Sequence, residues 1–177
     1  MSKASELRIE TERLILRREL PGDYLDAFSW SGDPRVTKYM LADAAQSAED
    51  LIPWFESLDI ESEQSYNMII LAKEDMHAIG AVGLFYDREE ELWDIAYIIR
   101  YEDWGKGYAT EAAKGMMDYA VSEHDAKVFQ GECAIENKGS AKVLEHLGMK
   151  LHHLSSYAKH SGSAKFDSYV YRLDLRD

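Results

Sequence analysis

Trp104-Gly105-Lys106-Gly107-Tyr108-Ala109-Thr110 is the stretch on which the reading of this chain turns. It follows an apolar run, Leu92 to Arg100, that predicts a strand, and it opens a segment of helical period reaching about Glu123. Ala109, Ala112, Ala113, Met116 and Ala120 give that helix a face of small residues able to lie close on a sheet. A helix start leaves amide N–H groups without intrahelical partners and carries about half a positive charge. Glycines let the main chain approach a ligand with no Cβ between, so successive amides here can ring a phosphate. The plainer reading is a glycine turn entering a helix. Two other phosphate motifs do not fit. A P-loop needs Gly-Lys-Ser/Thr, and Lys106 is followed by Gly107. A dinucleotide fingerprint needs a small residue where Thr110 stands and belongs in the first strand-to-helix turn, whereas several strands precede this one.

Working toward the N-terminus, Ala78 to Tyr86 and Tyr66 to Ala72 are two further apolar strand segments. Glu74-Asp75 and Asp87 to Glu90 supply the turns of an antiparallel meander. Ahead of it, Ser47-Ala48-Glu49-Asp50 resembles a capped helix start, with Leu51, Trp54, Phe55 and Leu58 at helical spacing. Asp33-Pro34 starts a short helical piece through Met40, and Pro21-Gly22-Asp23 opens a helix to about Ser31 with Leu25 and Phe28 on one face. Leu7 to Arg18 reads as the opening strand. Toward the C-terminus, Val128 to Ile135 is a strand, and Asn137 to Leu147 a helix with Ser140, Val143, Leu144 and Leu147 on one side and Gly148 as its stop. Strands near Met149 to Tyr157 and Phe166 to Leu175 close the chain. This order predicts an α/β (α+β) fold: a mixed, mostly antiparallel central sheet with helices on both faces, in one domain over residues 1–177.

Composition narrows the function. The 177 residues are 46% apolar and 30% charged, with three prolines and no linker, which suits one globular core. No apolar run approaches the ~18 residues of a membrane span, and Met1 to Glu12 lacks a signal-peptide core. Cys133 is the single cysteine, so an internal disulfide and a cysteine-based zinc cluster are both excluded, and a cytoplasmic setting is expected. The formal net charge of −13 disfavours nucleic acid and anionic membranes as partners and attracts cations, although solubility alone accounts for it equally.

Three segments then carry a resemblance. Asp94-Ile95-Ala96-Tyr97-Ile98 followed by Trp104 to Ala112 resembles the acetyl-CoA-binding motif of the GNAT superfamily. Arg13-Leu14-Ile15-Leu16-Arg17 is similar to the opening strand of its ribosomal-protein N-acetyltransferase branch. Asn137-Lys138-Gly139-Ser140 through Leu147-Gly148-Met149 is similar to that branch's Asn-x-x-Ser and Leu-Gly-Phe ending. The likeness runs from about residue 8 to 175 with matching element order.

The resemblance implies acetyl transfer from acetyl-CoA to a primary amine by direct attack in a ternary complex, with no metal. The strand carrying Tyr97 to Arg100 would part from that carrying Cys133 to Ile135. The pantetheine arm would lie in the gap on main-chain groups of Ile98, Ile99 and Arg100, and the amides of Gly105, Lys106, Gly107, Tyr108, Ala109 and Thr110 would hold the pyrophosphate. Asn137 would bond the pantetheine arm, although an Asn there also serves as an N-cap. An acceptor amine attacks only when neutral, and an α-amino group near pKa ~8 loses its proton more readily than a lysine amine near ~10.4. A carboxylate base, direct or through water, is enough. Asp94 stands where the branch usually carries a Glu; its other reading is an exposed strand residue, and Glu136, Glu91 and His77 are rivals. Where many members carry a Tyr acid this chain has Leu144, which leaves Ser140 as the acid the branch implies. An amide near Ile98 or Ile99 would meet the oxyanion. Tyr97, Tyr101, Tyr108, Tyr157, Tyr169 and Tyr171 stay unassigned, and Cys133 reads as core packing. A protein N-terminal α-amine is the favoured acceptor, probed against a polyamine or aminoglycoside and against a non-catalytic acyl-CoA-binding module. The amine acceptor is expected to be cationic, and the chain a monomer or homodimer.

Overall fold

The computed structural model of the protein describes residues 3–177. Eight strands form a single sheet in the order β1-β2-β3-β4-β5-β6-β8-β7. They are β1 (Arg8–Glu10), β2 (Leu14–Arg18), β3 (Ser65–Ala72), β4 (Ala78–Asp87), β5 (Leu92–Ile99), β6 (Val128–Ala134), β7 (Lys150–Ala158) and β8 (Lys165–Asp174). Every neighbouring pair is antiparallel except β5 and β6, so the sheet is mixed and mostly antiparallel as expected.

Strand alternation sorts the side chains onto two faces. One face carries Leu14, Leu16, Met68, Ile70, Val82, Leu84, Ile95 and Ile99 and is covered by α4 (Tyr108–His124) and α5 (Lys138–His146). Ala112, Ala113, Met116 and Ala120 of α4 are fully buried there, so the small-residue face lies on the sheet as its spacing predicts. The other face carries Ile15, Ile69 and Leu71 and is covered by α1 (Tyr24–Ser31), α2 (Pro34–Thr37) and α3 (Ile52–Ser57) through Ala27, Trp30, Val36 and Phe55. No helix among the described residues is long and apolar enough to cross a membrane.

Three local expectations need correction. The segment Leu7 to Arg18 is a hairpin, not one strand: Glu10 pairs with Ile15 across a turn. That turn is held from far away, because Thr11 Oγ1 and the Arg13 amide both donate to Glu111 Oε1 on α4, at 2.6 and 2.7 Å. Helix α1 buries Ala27 and Trp30, while Leu25 is 63% exposed. Ala27 lets the helix sit close and Trp30 fills the space beneath, which rotates Leu25 to solvent. In α3, Phe55 is buried but Trp54 is 53% exposed. The Ser47 start does form, as a 3-10 turn (Ala48–Leu51) whose Asp50 carboxylate accepts from the Ser47 amide at 3.0 Å.

Candidate active site

Strands β5 and β6 share only two rungs, Trp93 with Phe129 and Asp94 with Gln130. Beyond them the strands separate: β5 continues to Ile99 on β4, and β6 continues to Ala134 on β8. Leu144 of α5 reaches Gly131, where a Cβ would stand 2.4 Å from its Cδ2 and 3.3 Å from Ile95 Cγ2. The glycine admits a leucine at the fork, and the gap opens from there.

Ladder parity decides which main-chain groups face the gap. The Arg100 amide donates to Ile79 O at 2.8 Å. In an antiparallel ladder every second residue bonds the same neighbour, so Ile98, Ala96 and Asp94 direct their main-chain groups to β4. Ile99 and Tyr97 direct theirs into the gap. Of the three main-chain positions expected to line it, Ile99 faces the gap, whereas Ile98 and the Arg100 amide face β4 and the Arg100 carbonyl accepts from the Asp103 amide. Trp104 Nε1 donates to Ile99 O at 2.8 Å and ties the following loop to the lip of the gap.

That loop is built to hold its shape. Gly105 and Gly107 have φ of 75° and 80°, the left-handed region, and Gly107 is the N-cap of α4. No protein atom lies within 4 Å of where a Cβ on Gly105 would stand. Arg13 braces the loop from the β1–β2 turn: its Nη1 donates to Lys106 O at 2.8 Å, its guanidinium lies 4.5 Å over the Tyr108 ring, and its Nε pairs with Glu111 at 2.7 Å. Lys106 Nζ bonds Asp103 Oδ1 at 2.8 Å, and the Arg100 guanidinium pairs with the same carboxylate. Burial pushes the Asp103 carboxyl up, but Lys106 and Arg100 outweigh it and hold the group below the usual range. Both cations are therefore partly neutralised within the protein.

The titratable side chains of the site divide between the two faces. Tyr97 points to the α4–α5 face, where its hydroxyl lies 2.8 Å from Ser140 Oγ and 3.1 Å from Ser140 O. Burial pushes the Tyr97 hydroxyl well above its ordinary value. Asp94 points to the α1–α3 face at the fork, where Gln130 Nε2 donates to its Oδ1 at 3.0 Å. Burial also raises the Asp94 carboxyl, with the Gln130 hydrogen bond opposing it. A carboxylate and a paired set of hydroxyls thus flank one slot from opposite sides, with a positive-φ amide loop at its open end.

Residues 13–150 match the model of the acetyltransferase (GNAT) domain. The chain belongs to that family. It is 33% identical to the uncharacterized N-acetyltransferase p20 of Bacillus licheniformis over 94% of this chain and 96% of that one. Among solved structures, a GNAT-family acetyltransferase of Bacillus anthracis superposes with a TM-score of 0.84 at 22% identity, covering 97% of this chain and all of that one. The ribosomal-protein-S5-alanine acetyltransferase of Vibrio fischeri gives 0.78 at 16% identity, over 97% and 98% of the two chains. The microcin C7 self-immunity acetyltransferase MccE, solved with acetyl-CoA and AMP, gives 0.79 at 19%, over 93% of each. The protein is accordingly an acetyl-CoA-dependent N-acetyltransferase.

The remaining residues of this GNAT domain fall as follows. Asn137 caps α5, its Oδ1 accepting from the Ser140 amide at 3.3 Å. Leu144 is 1% exposed and occupied with packing at Gly131. Glu136 is exposed in the β6–α5 turn, His77 is exposed at the start of β4, and Glu91 lines a cavity of about 420 Å³ near His124. None of these three hydrogen-bonds Asp94. Cys133 is a buried free thiol pushed up to about 11 by burial. Tyr101 lies under the Arg35 guanidinium at 3.8 Å, Tyr157 donates to Tyr39 O at 2.6 Å, and Tyr171 reaches Glu145 Oε1 at 3.4 Å. Tyr169 packs partly buried against the core beside Tyr171. Sequence reasoning did not foresee the contacts of Gln130 with Asp94, Arg13 with Glu111 and Tyr97 with Ser140. Their partners lie 36, 98 and 43 residues away along the chain, and no local pattern signals them.

Proposed function

We propose that this acetyltransferase acts as one catalytic domain over residues 1–177, in the cytoplasm, on the α-amine of a protein N-terminus. The acceptor enters from the α1–α3 face and Asp94 takes its proton, directly or through one water. Acetyl-CoA supplies the activated acyl group. The residues present suit it: positive-φ glycines open to solvent, free helix-start amides from Gly107 to Thr110, and gap-facing main chain at Tyr97 and Ile99. Asn137 retains its amide NH₂ for the pantetheine arm while its oxygen caps α5. The Ile99 amide is the gap-facing donor for the oxyanion. Ser140, held by Tyr97, lends its hydroxyl to the departing thiolate. A thiolate with an ordinary pKa near ~8.5 leaves with modest help.

The observation that carries this reading is the placement of Asp94 and Ser140 on opposite faces of one slot, so that attack and departure are separated in space. A protein acceptor is supported by the ribosomal-protein-S5-alanine enzyme among the structural neighbours; MccE, from microcin self-immunity, keeps a small-molecule acceptor as the second reading. The test is thiol release from acetyl-CoA with alanine- and serine-terminated basic peptides, spermidine, an aminoglycoside and an amine-free control. Turnover on the peptides alone supports the proposal, and turnover on the small amines alone replaces the acceptor. CoA binding without turnover on any of them makes the domain a binding module. Asp94→Asn should lower kcat by about 10²-fold on the productive acceptor, with acetyl-CoA affinity retained.

A further inference from the structure

Asp94 is the first link of a chain of side chains that crosses three strands. Gln130 lies beside it on β6, and Arg172 lies beside Gln130 on β8, each at a registered rung. Gln130 Nε2 donates to Asp94 Oδ1 at 3.0 Å, and Arg172 Nε donates to Gln130 Oε1 at 2.7 Å. Arg172 Nη2 reaches Glu90 of the β4–β5 turn at 3.4 Å.

A glutamine amide offers a donor at one end and an acceptor at the other, and either end fits the same space. Arginine has no acceptor, so it can face only the oxygen end. Arg172 therefore fixes which way Gln130 points, and the N–H end is turned toward Asp94. We propose that Gln130, oriented by Arg172, is the positioning residue for the catalytic carboxylate. It occupies Oδ1 and leaves Oδ2 to the acceptor. This rests on Asp94 being the base.

The arrangement answers a problem set by the surroundings. The charged groups facing Asp94 are Asp87 from β4, Glu132 from β6 and Arg172 from β8, with Glu90 behind Arg172. Two carboxylates and partial burial all favour the protonated form, which is useless as a base. The Gln130 N–H and the Arg172 charge work against them. With the amide reversed, its oxygen would face the carboxylate and add to the opposition.

The experiment follows the Asp94 carboxyl carbon by ¹³C NMR against pH, assigned by its absence from Asp94→Asn, so no acceptor is needed. Gln130→Leu and Arg172→Met should each move the Asp94 midpoint up by about one pH unit. Arg172→Lys keeps a charged donor and should restore most of the wild-type midpoint. Glu90→Gln should leave it in place. With the productive acceptor, Gln130→Leu should shift the acid limb of kcat/KM by the same amount and lower kcat, with KM for acetyl-CoA unchanged. A Gln130→Leu midpoint coincident with wild type, alongside an impaired Asp94→Asn, overturns the positioning role alone. Full thiol release by Asp94→Asn removes the base, and this role with it. Should Gln130→Leu fail to fold, the contrast between Arg172→Met and Arg172→Lys decides the matter by the same readout.

Discussion

Gly105 and Gly107 share the left-handed backbone, yet only Gly107 has a protein atom near its missing Cβ, Arg13 Nη2 at 3.5 Å. Gly105→Ala should therefore cost only the strain of an L residue at positive φ, about 1–2 kcal/mol. It should nevertheless abolish most of the stabilisation by acetyl-CoA, ~2.7 kcal/mol at a hundredfold excess over Kd and read as a rise in Tm. A variant that loses stability but gains the full wild-type increment from acetyl-CoA would place the phosphates elsewhere. Glu19 makes a second point at this scale. It is 6% exposed and has no partner for Oε2 among the described residues; burial pushes it up to about 7. Its neutral form suits the fold, so its contribution is whole below its ordinary value near 4.5 and is lost as pH rises toward 7. Glu19→Gln should match wild type in stability near pH 4 and exceed it near pH 8, by about 3 kcal/mol at most, as read from thermal unfolding. Equal pH profiles for the two proteins would show that Glu19 is solvated. The glycine loop was legible because its residues are contiguous. Glu19 was not, since nothing in its local sequence marks a glutamate there as buried.

Helices and strands were legible wherever period and punctuation agreed, as in β3 to β5 and α4. The phase of α1 was not, because the choice between Leu25/Phe28 and Ala27/Trp30 depends on how closely the helix approaches the sheet. Connections contribute as much as elements here. The loop after α2 crosses to the far hairpin, where buried Lys159 donates to Thr37 O, Met40 O and Ala42 O at 2.8, 2.9 and 3.1 Å. Tyr157 and the His160 amide add bonds to Tyr39 O and Leu41 O. This latch ties the β7–β8 hairpin to the segment after α2. Lys159→Met should cost about 2 kcal/mol or more by stranding three carbonyls. Acceptor KM should rise severalfold while acetyl-CoA affinity holds. Unchanged KM in a folded variant would detach the latch from acceptor binding.

At the scale of the whole molecule, the charge of −13 is unevenly spread. Asp87, Asp94 and Glu132 meet on the α1–α3 face proposed for the acceptor, while no acidic residue occurs from His146 to Phe166. A dicationic acceptor should therefore bind with a KM that rises from low to moderate salt, as exposed charges are screened over ~8 Å at physiological ionic strength, with kcat nearly constant. Salt-independent KM for neutral-tailed and basic-tailed amines alike would leave the charge to solubility. The overall architecture was legible because element order limits topology; the side-chain chain from Asp94 to Arg172 was not, because it needs the register of three strands. Two rungs between β5 and β6 have one more consequence. Mechanically the sheet is two stiff plates, β1 to β5 and β6 to β8, meeting at a narrow hinge, with the Lys159 latch and a few side-chain bonds across it. Their scissoring is resisted by little backbone bonding, and a ligand lying along both lips becomes a splint. Hydrogen exchange at the Tyr97 and Ile99 amides should be fast in the free protein and markedly slower with acetyl-CoA bound, while Trp93 and Phe129, at the pivot, exchange slowly in both.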